Sequence, residues 1–208
     1  MKKLIFLFLI SLAIISCNKN AKDFDENGNL NAVKLHAASG GVDFKPMQNT
    51  DSADLANYKP VVYNYDEAPY SGKIAAYDEK DRLMMTGNLT AGIADGAFIF
   101  YYPSGVVQVQ GKYKNGYEDG MWYSYYGKDK PRIVMFYDNG LMLMRKEYYD
   151  TGKIKNYQNI NSPKFGNIER RIQFKYNGDI EYIDAEREVG KLTPKEINEL
   201  LKNDGLMR

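Results

Sequence analysis

A mainly β fold is predicted, an elongated antiparallel sheet of repeated β-hairpins closed by a short C-terminal helix. Three observations carry this. The first is self-similarity. Moved back by 24 positions, Tyr101 falls on Tyr77, Gly111 on Gly87, Gly116 on Gly92, Asp119-Gly120 on Asp95-Gly96 and Trp122 on Phe98. Moved forward by 24, Tyr113-Lys114-Asn115-Gly116 falls on Tyr137-Asp138-Asn139-Gly140. A fixed period in this range marks a repeat architecture. The second is alternation: Val107, Val109 and Tyr113 fall on one side of a period-two pattern, and Gln108, Gln110 and Lys112 on the other, as a strand requires. The third is punctuation: Asn115-Gly116 and Asp119-Gly120 interrupt the pattern with residues that tolerate positive φ, which tight turns demand.

The chain has 208 residues, 44% hydrophobic and 26% charged, which suits one repeat domain with tails. A formal charge of +1 gives no basic footprint for nucleic acid. One Cys excludes an intramolecular disulfide and a Cys-rich metal site. There are 18 Tyr, a residue that packs like a hydrophobe yet tolerates water at its tip, as a sheet wet on one side needs.

Residues 1–16 are expected to be a signal peptide. Lys2-Lys3 precede an apolar stretch from Leu4 to Ile15 that is short for a membrane span. Its end, Ile14-Ile15-Ser16-Cys17, resembles the lipobox of bacterial lipoproteins. The resemblance implies cleavage before Cys17, acylation of Cys17 and anchoring to membrane lipid; the alternative is a plain secretory signal with an incidental Cys. Residues 17–59 are polar, with Ser39-Gly40-Gly41 in their middle, and read as a tether. Within them Asp23-x-Asp25-x-Asn27-Gly28 resembles the front half of a calcium loop. Lys34 stands where the pattern requires Glu, so an acidic linker is the expectation. His36 is the only histidine, a poor basis for a metal site.

Residues 60–185 form the expected repeat domain. Further strands are predicted at Arg132–Tyr137, Met142–Tyr149, Ile154–Tyr157, Arg171–Tyr176 and Ile180–Ile183, with longer loops at Lys128–Pro131 and Asn159–Gly166. Residues 186–208 change character. Thr193-Pro194-Lys195-Glu196 is a capping box with proline at the first helical position, and Ile197, Leu200 and Leu201 follow at helical spacing. This helix is expected to cover a strand edge or the greasier face of the sheet.

Gly111, Tyr113, Gly116, Gly120 and Trp122 resemble the MORN repeat, in the variant common in bacteria, whose pattern is roughly Gly-x-Tyr-x-x-Gly-x-x-x-Gly-x-Trp. The preceding unit keeps Gly87, Gly92 and Gly96 and replaces the aromatics by Leu89 and Phe98; later units depart, with Met144 where the third glycine would stand. The resemblance covers roughly Tyr70 to Ile183 and implies a MORN-type sheet.

No catalytic constellation is found: one His and Cys17 make no nucleophile–base pair, and the glycines punctuate strands rather than cradle phosphate. Glu118, Asp119, Asp138 and Glu147 are the carboxylates that a glycan hydrolase would use, but turn geometry accounts for Asp119. The aromatic binding candidates are Tyr102, Tyr113, Trp122, Tyr123 and Tyr125, which serve either as packing or as an exposed platform for a protein or glycan. The expectation is a non-enzymatic lipoprotein of the cell envelope, outer-membrane anchored on its periplasmic or surface face, with no cofactor and no metal. The alternatives are an antitoxin-like immunity protein against an extracytoplasmic toxin, as labels on similar proteins imply, and a carboxylate-dependent hydrolase.

Overall fold

The computed structural model describes residues 23–37, 59–159, 169–187 and 190–191, with 193, 195, 196, 199 and 202. Residues 1–22, including Cys17, lie outside the described residues, as do 38–58 and most of the expected 159–166 loop. Among the described residues there are sixteen strands. They are β1 (Leu30–Asn31), β2 (His36–Ala37), β3 (Tyr63–Tyr65), β4 (Ala68–Pro69), β5 (Gly72–Tyr77), β6 (Leu83–Thr90), β7 (Ile93–Ala94) and β8 (Gly96–Tyr101), then β9 (Val107–Lys114), β10 (Tyr117–Gly127), β11 (Lys130–Asp138), β12 (Leu141–Tyr148), β13 (Ile154–Asn159), β14 (Glu169–Phe174), β15 (Ile180–Arg187) and β16 (Gly190–Lys191).

Thirteen strands make one sheet in the order β1-β5-β6-β8-β9-β10-β11-β12-β13-β14-β15-β16, with β7 paired to β6; β2-β3-β4 form a small second sheet. From β5 onward each strand pairs antiparallel with its sequence neighbour, as hairpins dictate. The parallel β1–β5 pairing is the exception.

One kind of turn recurs along the array. At Ala91-Gly92, Asn115-Gly116 and Asn139-Gly140 both residues have positive φ, the geometry of the two-residue hairpin turn. Each turn glycine also donates its N–H to the preceding unit: Gly92 to the Tyr70 carbonyl, Gly116 to Ala94 and Gly140 to Glu118, at 2.7–2.8 Å. Asp119-Gly120, expected to be a second turn, lies inside β10, where Gly120 (φ 72°) sits in a register irregularity between Asp119 and Tyr123. The bulge absorbs the residues that would otherwise have reversed the chain. Lys128–Pro131, expected as a longer loop, collapses to the two-residue turn Lys128-Asp129, because Gly127 pairs directly with Lys130.

The period-two pattern gives the sheet two rows of opposed residues, each on one face. One row runs through Ile74–Gly87, Phe98–Gly111 and Trp122–Met135. Here the glycines have a packing reason. A Cβ on Gly87 would overlap the Phe98 ring, and one on Gly111 the Trp122 indole. Each aromatic lies flat over the bare backbone of the neighbouring strand. Tyr113 stands edge-on between Phe98 and Trp122, both centroids 5.0 Å away, a geometry that adds about 0.5–1.5 kcal/mol per pair beyond burial. Beyond Met135 the same row becomes Arg145, Gln158 and Arg171. The other row does the reverse. Thr86, Ile99, Gln110 and Tyr123 lead to Val134, then Lys146, Tyr157, Ile172 and Ile183. Val134 and Met135, neighbours on opposite faces of β11, are both buried. The core therefore changes sides at β11, from a cluster around Phe98, Tyr113 and Trp122 to one around Tyr157, Ile172 and Phe174.

The tether reading of 17–59 fails for 23–37. Leu30 is fully buried in the main core, Phe24 and Leu35 pack against it, and β1 pairs with β5. The acidic segment is neither a calcium loop nor a solvated linker. Asp25 Oδ1 accepts the Asn27 and Asn29 N–H groups, and its Oδ2 accepts the Asn29 amide and the Tyr77 hydroxyl at 2.7 Å. Asp23 accepts the Tyr65 hydroxyl at 2.9 Å and pairs with Lys34 at 3.2 Å. Two phenols thus clasp the segment to the first unit. His36 lies exposed in β2. At the other end, Thr193 Oγ1 and N–H donate to Glu196 Oε2, and Glu196 N–H donates back to Oγ1, so the capping box forms. Ile197, Leu200 and Leu201 lie outside the described residues.

Two predictions follow from this packing. Gly111→Ala displaces Trp122 and lowers stability by about 1–3 kcal/mol in urea denaturation, whereas Gly127→Ala, with nothing within 4 Å of the added carbon and no positive φ, is neutral. The clasp is pH-dependent. The Asn29 side chain, helped by backbone N–H groups and Tyr77, holds Asp25 at about 2, below its ordinary 3.8. A carboxylate so depressed contributes fully above the unfolded-state value and loses that contribution as pH falls towards the folded one. Amide exchange between pH 5 and pH 2 therefore finds 23–37 losing protection on acidification, and at a higher pH in Tyr77→Phe; protection independent of Tyr77 contradicts the clasp.

Candidate functional site

The five aromatic candidates separate. Trp122 and Tyr113 are 0% and 1% exposed, so neither presents a surface to a partner. Their burial follows from facing the glycine row, and the Trp122 Nε1–H is taken by the Lys112 carbonyl at 3.2 Å. As binding residues they are corrected to core residues. Tyr102, Tyr123 and Tyr125 remain half-exposed.

Tyr102 is a latch. Its hydroxyl donates to the Tyr125 carbonyl at 2.7 Å. The same bond recurs along the array, from Tyr126 to the Tyr148 carbonyl and from Tyr149 to the Phe174 carbonyl, each 2.9 Å. One unit earlier the equivalent position is Asp78, which instead binds its own turn through Arg82, 2.6 Å away. Phenols therefore tie unit to unit at one edge of the sheet, as turn glycines do at the other.

Tyr123 stands in register with Gln110 and Val134. Tyr125 is on the same face, and its hydroxyl accepts from Gln110 Nε2 at 2.8 Å, which leaves its own proton for a further acceptor. Burial pushes the phenol above its ordinary value, so it stays a neutral donor at pH 7. A depression of ≈ 370 Å³ opens here, lined by Val106, Val107, Gln110, Tyr125, Lys128 and Asp129. β9 and β10 supply its floor. The Pro103–Gly105 turn and the Lys128-Asp129 turn, from successive units, supply its walls. It offers apolar contact, a phenol, an amide and one charge of each sign, the equipment of non-covalent recognition. Of these residues the sequence singled out Tyr125 alone. Lys128 and Asp129 were hidden by reading their segment as a loop, and Gln110 by treating the polar side of β9 as solvated.

The carboxylates singled out in the sequence have structural partners. Asp119 pairs with Lys112 at 3.2 Å, and Asp138 accepts the Asn139 amide at 3.0 Å. Burial raises Glu147, but Asn156, Lys155 and Arg145 outweigh it and bring the carboxyl below its ordinary value. Glu118 is 2% exposed, and its backbone carbonyl receives the Gly140 N–H.

Residues 94–115 match the family model described as MORN repeat variant. The match spans β8, β9 and the turn after it, the segment holding Gly111 and Tyr113. No curated protein and no solved structure matches the chain.

Tyr102→Phe removes the latch and leaves the Tyr125 carbonyl without that donor, costing about 0.5–1.5 kcal/mol in thermal or urea unfolding. The loss appears as faster amide exchange around β8–β10, while Trp122 fluorescence is unchanged. An unaltered unfolding midpoint contradicts the latch.

Proposed function

We propose that this chain is a cell-envelope lipoprotein, held to membrane lipid through acylated Cys17, whose repeat sheet is a non-enzymatic module that binds a protein or glycan partner. The observation that carries the reading is the depression beside Tyr125. It is built from two successive units, its phenol keeps a proton to donate, and its rim bears Lys128 and Asp129. Support for binding rather than catalysis comes from the carboxylates, which serve Lys112, Asn139, Lys155 and Arg145. The MORN-type unit is consistent with a binding or scaffolding role.

The anchor reading gains a geometric consequence from the clasp. Six positions separate Cys17 from Asp23, a reach of at most roughly 20 Å when fully extended. The first edge of the sheet therefore stays close to the lipid surface, and the array is not swung on a long tether.

Two measurements test the proposal. Mass spectrometry of the membrane fraction is expected to find a chain beginning at Cys17 and carrying acyl chains, and Cys17→Ser releases the protein to the soluble fraction. Recovery of mature chain retaining residues 1–16 contradicts the anchor. Crosslinking in intact envelopes is expected to capture a partner that Lys128→Glu loses without changing the unfolding midpoint. A single stoichiometric toxin partner assigns the module to an immunity role. Glycan cleavage abolished by Glu147→Gln overturns the non-enzymatic reading.

A further inference from the structure

Beyond β11 the face that carried the aromatic row turns polar. Two adjacent rows cross β12 to β15 on that face. One reads Glu147, Asn156, Gln173, Tyr182; the other reads Arg145, Gln158, Arg171, Asp184. They border a trough of ≈ 220 Å³. Six of the eight positions carry a described amide, guanidinium or carboxylate side chain, and Tyr182 lies exposed among them.

The chemistry of the grid narrows the ligand. Amides carry donor and acceptor together, and a guanidinium presents a planar fork of donors. Vicinal hydroxyls of a sugar offer the complementary pattern. Tyr182, 54% exposed, offers an aromatic face to the C–H side of a pyranose ring. Charge argues against an anionic ligand. Glu147 draws in Arg145 at 3.4 Å and Lys155 at 3.1 Å, and it accepts the Asn156 amide at 3.0 Å. Glu181 accepts from Gln173 at 2.8 Å. Glu147 thus engages Arg145 and Lys155, a second carboxylate stands beside Gln173, and the pair with Glu147 orients the Arg145 guanidinium rather than leaving a field of cations alone. Size agrees. Arg145 and Arg171 are two strand spacings apart, roughly 10 Å, and the trough is smaller than the about 300–1,000 Å³ of a typical organic-ligand site. It fits one ring of a chain laid across the strands.

We propose that the trough of Arg145, Asn156, Gln158, Arg171, Gln173 and Tyr182 is a carbohydrate subsite that takes an uncharged pyranose unit of a glycan. It rests on the reading of the sheet as a binding module and adds a second site, on the opposite face from the Tyr125 depression.

The test uses the full mature chain and four probes: maltohexaose, cellohexaose, chitohexaose and polygalacturonate. At least one neutral hexasaccharide is expected to bind by calorimetry and to shift the amide resonances of Arg145, Gln158, Arg171 and Tyr182. Tyr182→Ala and Arg171→Gln each weaken that binding tenfold or more, Tyr182→Phe retains it, and Gly127→Ala leaves it unchanged. Unfolding midpoints of these variants, compared with wild type, separate lost contacts from lost fold. The proposal is overturned if no neutral probe binds at millimolar concentration, if polygalacturonate alone binds, or if binding survives Tyr182→Ala. Each of these results leaves the Lys128-dependent capture of a partner intact, so the failure of this subsite is distinguishable from failure of the binding reading itself.

Discussion

An aromatic ring laid on the bare backbone of a glycine in the next strand is the contact on which this sheet depends. Phe98 over Gly87 and Trp122 over Gly111 fill the space that two Cβ atoms would occupy, and Tyr113 wedges edge-on between the rings. Each ring and its glycine face each other within one hairpin. Burial needs a neighbour with a missing side chain at one register position, which the partner strand of the same hairpin supplies, and Tyr113 then links the ring of one unit to the ring of the next. Packing and register therefore enforce each other, because a slip by one residue would face the ring with a side chain on the wrong side of the sheet.

The bonds at the two edges hold that register from outside. Turn glycines donate to carbonyls of the preceding unit at one edge, and phenols donate to carbonyls of the following unit at the other. Among the described residues the first unit has no preceding hairpin, and the segment from Asp23 to Ala37 stands beside it, inserting Leu30 and lending two carboxylates to Tyr65 and Tyr77. The same interactions that stabilise the interior thus leave Tyr125 and the turn residues around it as one surface still equipped to bind.

Much of this was legible in the sequence and some was not, for physical reasons. The sheet and its hairpins follow from the interval between like residues and from Asn-Gly pairs at sites that need positive φ. The roles of Trp122 and Tyr113 were not separable from those of Tyr102 and Tyr125, because alternation gives two faces without saying which is covered. The Asp23–Asn29 segment looked solvated because its polar atoms are satisfied by Tyr65 and Tyr77, over forty residues away. The motif fades after Gly140 because Met135 occupies the glycine position and the core passes to the other face, so the partner aromatic is no longer required. The polar grid that follows is the other side of an alternation whose apolar side is Tyr157, Ile172 and Phe174, and alternation alone does not separate a solvated face from a binding one.

The two edge ladders share one spacing, which limits how such a chain can change length. Copying a whole unit preserves both ladders, carries its own ring-on-glycine contact with it and remakes the edge-on tyrosine contact at each new junction. Copying a single strand would reverse the chain direction and hand every later ring to the wrong side. Genetic growth or shrinkage of this sheet is therefore quantised in whole hairpins, and the tract before β11 is where such duplication leaves the architecture whole.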